Sequence, residues 1–313
     1  MEGVAQKPVM MEEQTIKYSW QIAVMAKAKD YYQLTKFTLS FMVVFSSVIA
    51  YLLVPGVEMD IWKVILLFIG GLCITGAANA TNQIIERDTD RKMARTRKRP
   101  LPDGRMEVKE AIIFLSVLLI AGLLIMGFCF NGLSALLSLI SFGLYGFVYT
   151  PWKKWNSLAV FAGAFPGALP PLIGWVAAAG VMTGPLSYGG WILFAIQFLW
   201  QFPHFWAIGW VAYDDYRKAG FKLLPSEKGK NGYSAMQAVT YTAMLIPVGW
   251  FPFYFKMSGV ISAVIIMILG IYFLYRAVNL YRFCDVKHAR KLMFSSYIYL
   301  TVMQLALLAD KIH

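Results

Sequence analysis

The sequence predicts an all-α polytopic membrane protein with about nine transmembrane helices. Two observations carry this prediction. Hydrophobic residues make up 58% of the 313-residue chain, more than in ordinary soluble domains. They also fall in long runs with almost no charge, and each run approaches the roughly 20 residues that cross a bilayer as a helix.

The predicted elements follow one another with little else between them. Residues 1–36 are polar or weakly amphipathic, and we expect them to form a cytoplasmic N-terminal arm without a cleavable signal peptide. Residues 37–313 are expected to form a single transmembrane domain. Its predicted spans cover approximately residues 37–54, 62–82, 111–129, 132–149, 158–179, 190–211, 235–254, 259–275 and 292–309.

The fifth predicted span carries three prolines, Pro166, Pro170 and Pro171, among several glycines. Proline has no backbone N–H and disturbs the preceding helical turn. We therefore expect this span to be kinked and closely packed against its neighbours, which can satisfy the freed backbone groups.

The basic residues define an orientation. Of the 29 lysine and arginine residues, 26 lie in the N-terminal segment or in the connections after the second, fourth, sixth and eighth spans. The other connections are acidic, uncharged or marked by one lysine, Lys256. By the positive-inside rule the N-terminus is cytoplasmic and the C-terminus is outside, as expected for a protein of the bacterial inner membrane. Topology explains most of the net charge of +12, so we expect no nucleic-acid partner.

The most informative stretch follows the second span. Asn82, Glu86 and Asp90 are spaced four residues apart, so on one helix each lies only about 40° around the axis from the last. A basic run from Arg95 to Arg99 follows at once. Oxygen ligands beside guanidinium and ammonium groups are what a magnesium-bridged diphosphate requires.

Several stretches resemble one family of membrane enzymes. The run from Asn82 to Pro102 resembles the first signature of the UbiA-type intramembrane prenyltransferases, relatives of 4-hydroxybenzoate polyprenyltransferase. Within this run, residues 86–101 are similar, more narrowly, to the haem O synthases, also called protohaem IX farnesyltransferases. The other stretches that agree are Asp30 to Lys36, Tyr149-Thr150 with Ala168 to Trp175, and Pro203-His204-Phe205-Trp206 leading to Asp214-Asp215-Tyr216 and Leu224-Pro225.

The resemblance implies a helical bundle around a central cavity that is capped by two cytoplasmic signature loops. It also implies magnesium-dependent transfer of a farnesyl group from farnesyl diphosphate to a vinyl group of haem b, with addition of water, to give haem O. Asn82, Glu86 and Asp90 would hold the magnesium ion. The candidates for binding the diphosphate are Arg95, Lys98, Arg99, Lys153, Lys154, Lys218 and Lys222.

The second signature departs from that of the wider superfamily. Relatives often carry three acidic residues spaced by four before the seventh span, but the corresponding positions here are Ala207 and Val211. Asp214 and Asp215 are the remaining candidates for a second metal-binding arm, and Asp215 is also a candidate catalytic residue. Whether one or two metal ions bind stays open. The same departure is typical of the haem O synthases.

His204 is the only histidine within a predicted span, and its spacing from Asp215 places both on one helix face. In an enzyme that acts on haem, His204 could ligate iron, contact a propionate or move a proton. These three roles stay open. Some of the 49 aromatic residues could line the cavity, where their π faces would stabilise a cationic intermediate.

Two other functions compete with haem farnesylation. A related enzyme could prenylate an aromatic acid or quinone precursor, and a secondary transporter could also have nine or more spans. Transporters place ionisable sites near the bilayer midplane, whereas the polar residues here crowd one cytoplasmic face, which favours an enzyme. The expected partners are farnesyl diphosphate, haem b and membrane lipid. A terminal-oxidase assembly factor or a haem A synthase is a candidate protein partner.

Overall fold

The described part of the chain is built from helices. The computed structural model describes the backbone of residues 7–312 and the side chains of residues 20–312. No strand forms in that part of the chain, which confirms the all-α prediction. The first six residues of the predicted N-terminal arm lie outside the described residues, and from Lys7 the arm is a helix.

Fourteen α-helices follow one another within residues 7–312. They are α1 (Lys7–Leu34), α2 (Phe37–Leu53), α3 (Ile61–Ile85), α4 (Arg87–Asp90), α5 (Val108–Cys129), α6 (Gly132–Gly143), α7 (Thr150–Trp152), α8 (Ala159–Ala179), α9 (Tyr188–Val211), α10 (Tyr213–Lys218), α11 (Gly232–Gly249), α12 (Phe251–Tyr254), α13 (Val260–Phe283) and α14 (Val286–Ala309). A π-helical segment, Leu144–Tyr149, joins α6 to α7, and a 3₁₀ turn, Pro185–Ser187, precedes α9.

The long helices coincide with the nine predicted runs. Among the described residues, seven helical segments are long and apolar enough to cross a membrane, and the pair α1 and α2, bent by 51°, adds an eighth. The remaining run, 235–254, is divided, because α11 ends at Gly249 and α12 begins at Phe251. Polar residues within α11, such as Gln237 and Thr240, make this helix less apolar than the others. The prediction of about nine helices is thus approximately confirmed.

Alternating helix directions bring the basic connections together at one end of the bundle. Arg105 Nε lies 3.0 Å from Asp30 Oδ1, and the Lys222 N–H donates to the Lys153 carbonyl at 2.9 Å. At the other end the connections carry little charge. There, Lys311 Nζ donates to the carbonyl oxygen at the end of α2. The charge asymmetry of the sequence is therefore an asymmetry between the two ends of the fold.

Helix α8 keeps its three prolines inside a continuous helix, and other helices bond two of the three carbonyls that the prolines leave free. Pro171 has no N–H to give to the carbonyl of Gly167, and Gln197 Nε2 on α9 donates to that oxygen at 3.1 Å. In a membrane an unbonded carbonyl would cost several kcal/mol, so this contact stabilises the helix and also fixes the position of Gln197.

The predicted close packing of α8 is confirmed on its opposite side. A Cβ added at Gly174 would overlap the backbone carbonyl of Ser47 on α2. Ser47 Oγ also donates to the Pro170 carbonyl at 2.8 Å. Helices α2 and α8 therefore approach at backbone distance, and α8 and α9 form the centre of the bundle.

Candidate active site

The predicted motif lies where α3 ends. Asn82 is in the last turn of α3, and Glu86 separates α3 from α4. The break does not disturb the spacing, because the Glu86 N–H donates to the Asn82 carbonyl at 3.0 Å and the Asp90 N–H donates to the Glu86 carbonyl at 2.7 Å. The three residues are buried, with 1%, 4% and 0% of their surfaces exposed. The four-residue register therefore persists, although on two helices instead of one.

Each of the three side chains is held by a cation from outside α3, two of them from segments far away in the chain. The contacts are Lys36 Nζ to Asn82 Oδ1 (2.7 Å), Lys153 Nζ to Glu86 Oε1 (2.9 Å) and Arg99 Nη1 to Asp90 Oδ2 (2.7 Å). The three cations come from the α1–α2 bend, the end of α7 and the loop after α4. Because buried polar groups need partners, these contacts draw three segments onto the end of α3.

The cluster shifts the pKa values of its own members. Burial opposes the charge of Glu86, but the Lys153 ammonium, together with Lys36, holds the pKa of this carboxyl below its ordinary value. Burial also opposes the charge of Lys153, yet the Glu86 carboxylate raises the pKa of Lys153 above its ordinary value. For Lys36, burial and then the positive charges of Arg99 and Lys153 lower the pKa to about 7. The positive charges of Arg99 and Lys153 therefore act on Lys36 as well as on the motif.

One oxygen of the cluster has no partner. Asp90 Oδ1 is buried and makes no hydrogen bond to any group that the structure describes. An unpaired buried oxygen of this kind costs free energy and points to a ligand. With the Asn82 amide oxygen and the Glu86 carboxylate, it forms a set of hard oxygen donors. Magnesium commonly takes one or two carboxylates and completes its shell with substrate phosphates and water, so this set fits the ion.

The acidic residues of the second signature stand apart from the motif. On α10, Asp214 is exposed and Asp215 is partly buried. Across residues 20–312, no group of three or more His, Cys, Asp or Glu side chains is close enough to hold a metal ion. The predicted acidic set, Glu86, Asp90, Asp214 and Asp215, is therefore not gathered into one cluster. A metal held by the first motif would be completed by Asn82 and by substrate.

The predicted diphosphate-binding residues fall into two groups. Arg99 and Lys153 contact the motif, and Arg95 Nη2 lies 3.3 Å from Tyr216 Oη, so it bridges the two signature loops. The remaining four have exposed side chains at the same end of the bundle: Lys98, Lys154, Lys218 and Lys222.

Apolar and cation–π contacts join the two signature loops into a cap. Buried Met93, after α4, packs with Ala219 and Phe221, after α10. Lys153 Nζ lies 4.4 Å from the ring centroid of Tyr149 and 5.8 Å from that of Phe221. The residue that neutralises Glu86 therefore also holds the second loop in place.

A cavity of about 350 Å³ lies next to this cap. It runs from Arg95 and Tyr216 in the cap to Gln304 on α14, and its walls are mainly apolar and aromatic. Among the polar groups that reach it are Gln197 and His204. Asn82, Glu86 and Asp90 do not themselves line this cavity, but Arg95, Tyr149 and Tyr216 of the cap do. A second depression, of about 390 Å³, lies between α1 and α5, and no residue of the cap lines it. The chamber next to the cap is therefore the candidate substrate site.

His204 lines this cavity and is 94% buried by the surrounding residues, with 6% of its surface exposed. Its Nδ1 lies 2.7 Å from Ser296 Oγ on α14. The predicted shared helix face with Asp215 is wrong, because Ala212 leaves the helical conformation and separates α9 from α10. Position along a single helix therefore does not link the two residues.

Sequence reasoning did not assign a role to Lys36 or to Thr150, whose Oγ1 accepts from Asn82 Nδ2 at 3.2 Å. A single lysine before a first span looks like an ordinary topology signal. Lys36 has a left-handed backbone (φ 47°, ψ 52°), which is uncommon for a residue with a side chain and marks a constrained site. The only sequence signal was that both residues fall in stretches resembling the prenyltransferases.

The sequence of this chain is similar to those of known membrane prenyltransferases. The profile of the UbiA prenyltransferase family matches residues 43–302. A protein of Cytophaga hutchinsonii named protoheme IX farnesyltransferase is 48% identical over 90% of this chain and 98% of its own length. A protein of the same name from Christiangramia forsetii is 44% identical over 90% of this chain and 93% of its own.

Solved structures show the same fold. A UbiA homologue from Archaeoglobus fulgidus bound to GPP and Mg2+ has a TM-score of 0.66 at 16% identity, and the match covers 90% of this chain and 99% of that one. A structure described as digeranylgeranylglyceryl phosphate synthase has a TM-score of 0.74 at 24% identity, covering 91% and 98%. At these identities the likeness shows the fold alone.

Lys153→Met is expected to lower the free energy of unfolding by about 3–5 kcal/mol, because it leaves the buried Glu86 carboxylate unpaired. In the parent protein the pKa of Glu86 is lower in the folded state than in the unfolded state. The ionised carboxyl therefore stabilises the fold at pH values above the unfolded-state pKa of about 4.3, and this stabilisation is lost as the pH falls below that value. In the variant the unpaired carboxyl takes up a proton more readily. The difference in free energy of unfolding between the variant and the parent should therefore shrink as the pH falls toward about 5. Unfolding measured in detergent between pH 5 and pH 8 checks this.

The double variant Lys153→Met/Glu86→Gln is the matched control. Removing the stranded charge should recover much of the lost stability at pH 7 and remove most of the pH dependence. A deficit that is constant with pH, or a double variant no more stable than Lys153→Met, would contradict the pairing.

Proposed function

Because this chain belongs to the UbiA prenyltransferase family, we propose that it transfers a farnesyl group from farnesyl diphosphate to the vinyl group of haem b, giving haem O and diphosphate. The relatives named protoheme IX farnesyltransferase, which match nine-tenths of the chain, support this acceptor. The observation that carries the proposal is the buried Asn82, Glu86 and Asp90 cluster, with its three cations, beside an apolar chamber.

The donor oxygens of the cluster would hold a magnesium ion. Asn82, Glu86 and Asp90 are the proposed ligands, and Asp214 and Asp215 on α10 are candidates for a second arm. When bound, the ion supplies positive charge that stabilises the departing diphosphate. The Archaeoglobus fulgidus homologue, which shares the fold, was solved with GPP and Mg2+ bound.

The three cations of the cluster are placed to bind the diphosphate. Lys36, Lys153 and Arg99 lie within hydrogen-bond distance of the motif, so a diphosphate bound there is within reach of all three. Charge-assisted hydrogen bonds to phosphate are about twice as strong as neutral ones. Arg95 adds a guanidinium at the cap. The exposed lysines at the same end are proposed to attract the anionic substrate: Lys98, Lys154, Lys218 and Lys222.

The apolar chamber separates the reacting carbons from bulk water. The C–O bond of farnesyl diphosphate breaks with its electron pair on the diphosphate, and the allylic carbon bonds to the terminal carbon of the vinyl group. Water then adds to the carbon next to the porphyrin ring and loses a proton. The rings of Tyr145, Tyr149 and Phe205 line the chamber, and their π faces can stabilise the transient positive charge.

The protein is a multi-pass membrane protein, and we propose the bacterial inner membrane as its location. The positive-inside rule and the convergence of the basic connections at the cluster support a cytoplasmic N-terminus and an outside C-terminus. The active site then opens on the cytoplasmic side. A terminal-oxidase assembly factor or a haem A synthase stays a candidate partner.

The function is tested by mass spectrometry of porphyrins after the purified protein is incubated with haem b, farnesyl diphosphate and magnesium. The expected product is heavier than haem b by one farnesyl group plus one hydroxyl group, because the added water loses a proton. If haem is unchanged and an aromatic acid supplied in its place is prenylated, the acceptor substrate of the enzyme is an aromatic acid and not haem.

Asp90→Asn is expected to lower kcat/KM by about 10²–10³-fold, because it removes a charge that acts on the leaving diphosphate. Chelation with EDTA should abolish turnover, and added magnesium should restore it. Asp88→Asn is the matched control, since the exposed Asp88 pairs only with Arg87 and Arg91 among the described residues. Turnover by Asp90→Asn at the parent rate would refute the role of the motif.

Lys36→Met is expected to weaken farnesyl diphosphate binding by about 10–100-fold, the range for loss of one charged hydrogen bond. Binding is measured by calorimetry with magnesium and without haem. Lys36→Arg should recover part of the affinity, and Lys29→Met, on the exposed face of α1, should bind as the parent does. Equal affinities for Lys36→Met and Lys29→Met would remove Lys36 from the site.

A further inference from the structure

The protonation of His204 can be read from its neighbours. Ser296 Oγ lies 2.5 Å from the carbonyl oxygen of Met293, and a carbonyl can only accept. The hydroxyl proton of Ser296 is therefore given to Met293. Ser296 Oγ must then accept from His204 Nδ1, 2.7 Å away, so the proton of the neutral ring is on Nδ1. The other nitrogen, Nε2, carries a free lone pair.

The ring is also held in orientation. Trp200, one turn earlier on α9, stacks on it with centroids 4.6 Å apart and planes at 16°. Tyr297 on α14 meets it edge-on at 4.9 Å. Trp200 Nε1 donates to the Ser296 carbonyl at 2.7 Å, so the stacking ring and the serine that bonds Nδ1 are tied together. His204 Nε2 makes no hydrogen bond to any described residue, and the residue lines the cavity.

We propose that His204 Nε2 is the axial ligand of the haem iron while haem is bound as substrate; this rests on the proposed function. A histidine that binds a metal through one nitrogen usually donates from the other to a protein oxygen, which fixes the tautomer and the ring plane. His204 shows both features within a chamber able to receive an apolar ligand. Ligation donates the Nε2 lone pair to iron, changes no oxidation state and leaves the proton on Nδ1.

The same tautomer disfavours a second role for His204. An ionised propionate only accepts hydrogen bonds, and the ring's one N–H is already given to Ser296. A propionate contact would therefore require a proton on Nε2. Ligation would instead fix the centre of the porphyrin on α9, so that the vinyl edge is held at a set distance from the capped end where the diphosphate binds.

The test is spectroscopic and needs no farnesyl transfer. Ferric and ferrous haem b are titrated into the purified full-length protein in lipid nanodiscs, and the absorption and resonance Raman spectra are recorded. The parent protein should show an iron–histidine signature. His204→Gly should lose it, and added imidazole should restore it. His288→Ala is the matched control, because His288 donates its backbone N–H to the capping residue Asp285 and stacks its ring on Phe283, away from the cavity.

Two further variants separate ligation from a structural role. His204→Cys should give the spectrum of a thiolate-bound haem if the side chain at this position reaches the iron. Ser296→Ala should keep histidine ligation but weaken haem affinity by about tenfold or more and shift the iron–nitrogen vibration, since Ser296 positions the ring.

The outcomes discriminate between the proposals. If the spectra of His204→Gly and His204→Cys match the parent spectrum, His204 does not ligate the iron. A role for His204 in proton transfer would then be favoured, and the proposed function would stand. A parent protein that binds haem without an iron–histidine signature would overturn ligation equally. If the parent protein neither binds nor farnesylates haem, the proposed function itself fails.

Discussion

Three buried oxygen-bearing side chains, each paired with a cation, organise the active end of this protein. Asn82, Glu86 and Asp90 lie at the end of a helix and are buried within the protein, where an unpaired charge is costly. Lys36, Lys153 and Arg99 each meet one of them. These ion pairs and hydrogen bonds, together with apolar contacts such as that of Leu34 with Leu101, position the bend between α1 and α2, the end of α7 and the loop after α4.

The same pairing prepares the site for an anionic substrate. Cations that are already desolvated and held close together have less solvent to lose when a phosphate arrives, which is the basis of electrostatic preorganisation. The unpartnered Asp90 oxygen shows that the cations do not fully satisfy the motif. The cluster thus has positive groups for phosphate and an oxygen left for a metal ion.

The chamber beyond the cluster depends on a different constraint, the need to satisfy every backbone carbonyl in a membrane. The prolines of α8 leave carbonyls free, and Gln197 is placed on α9 to bond one of them. Further along α9, His204 is set by Ser296 and Trp200, so that a neutral ring nitrogen remains for a ligand. The cavity therefore joins an ionic end to a neutral one, which suits the two proposed substrates of different polarity.

The sequence alone determined the class of fold, the positions of the long helices and the spacing of Asn82, Glu86 and Asp90, because apolar run length, proline content and residue register are local properties of the chain. It also marked Arg99 and Lys153 as basic residues near the site. It did not reveal that Lys36 joins the cluster, that α9 ends before Asp215, or which nitrogen of His204 carries the proton. Those facts depend on contacts between residues 46, 67 and 92 positions apart and on one local departure from helical geometry. Only the tertiary structure decided them, since burial and partner identity exist only after the helices have packed.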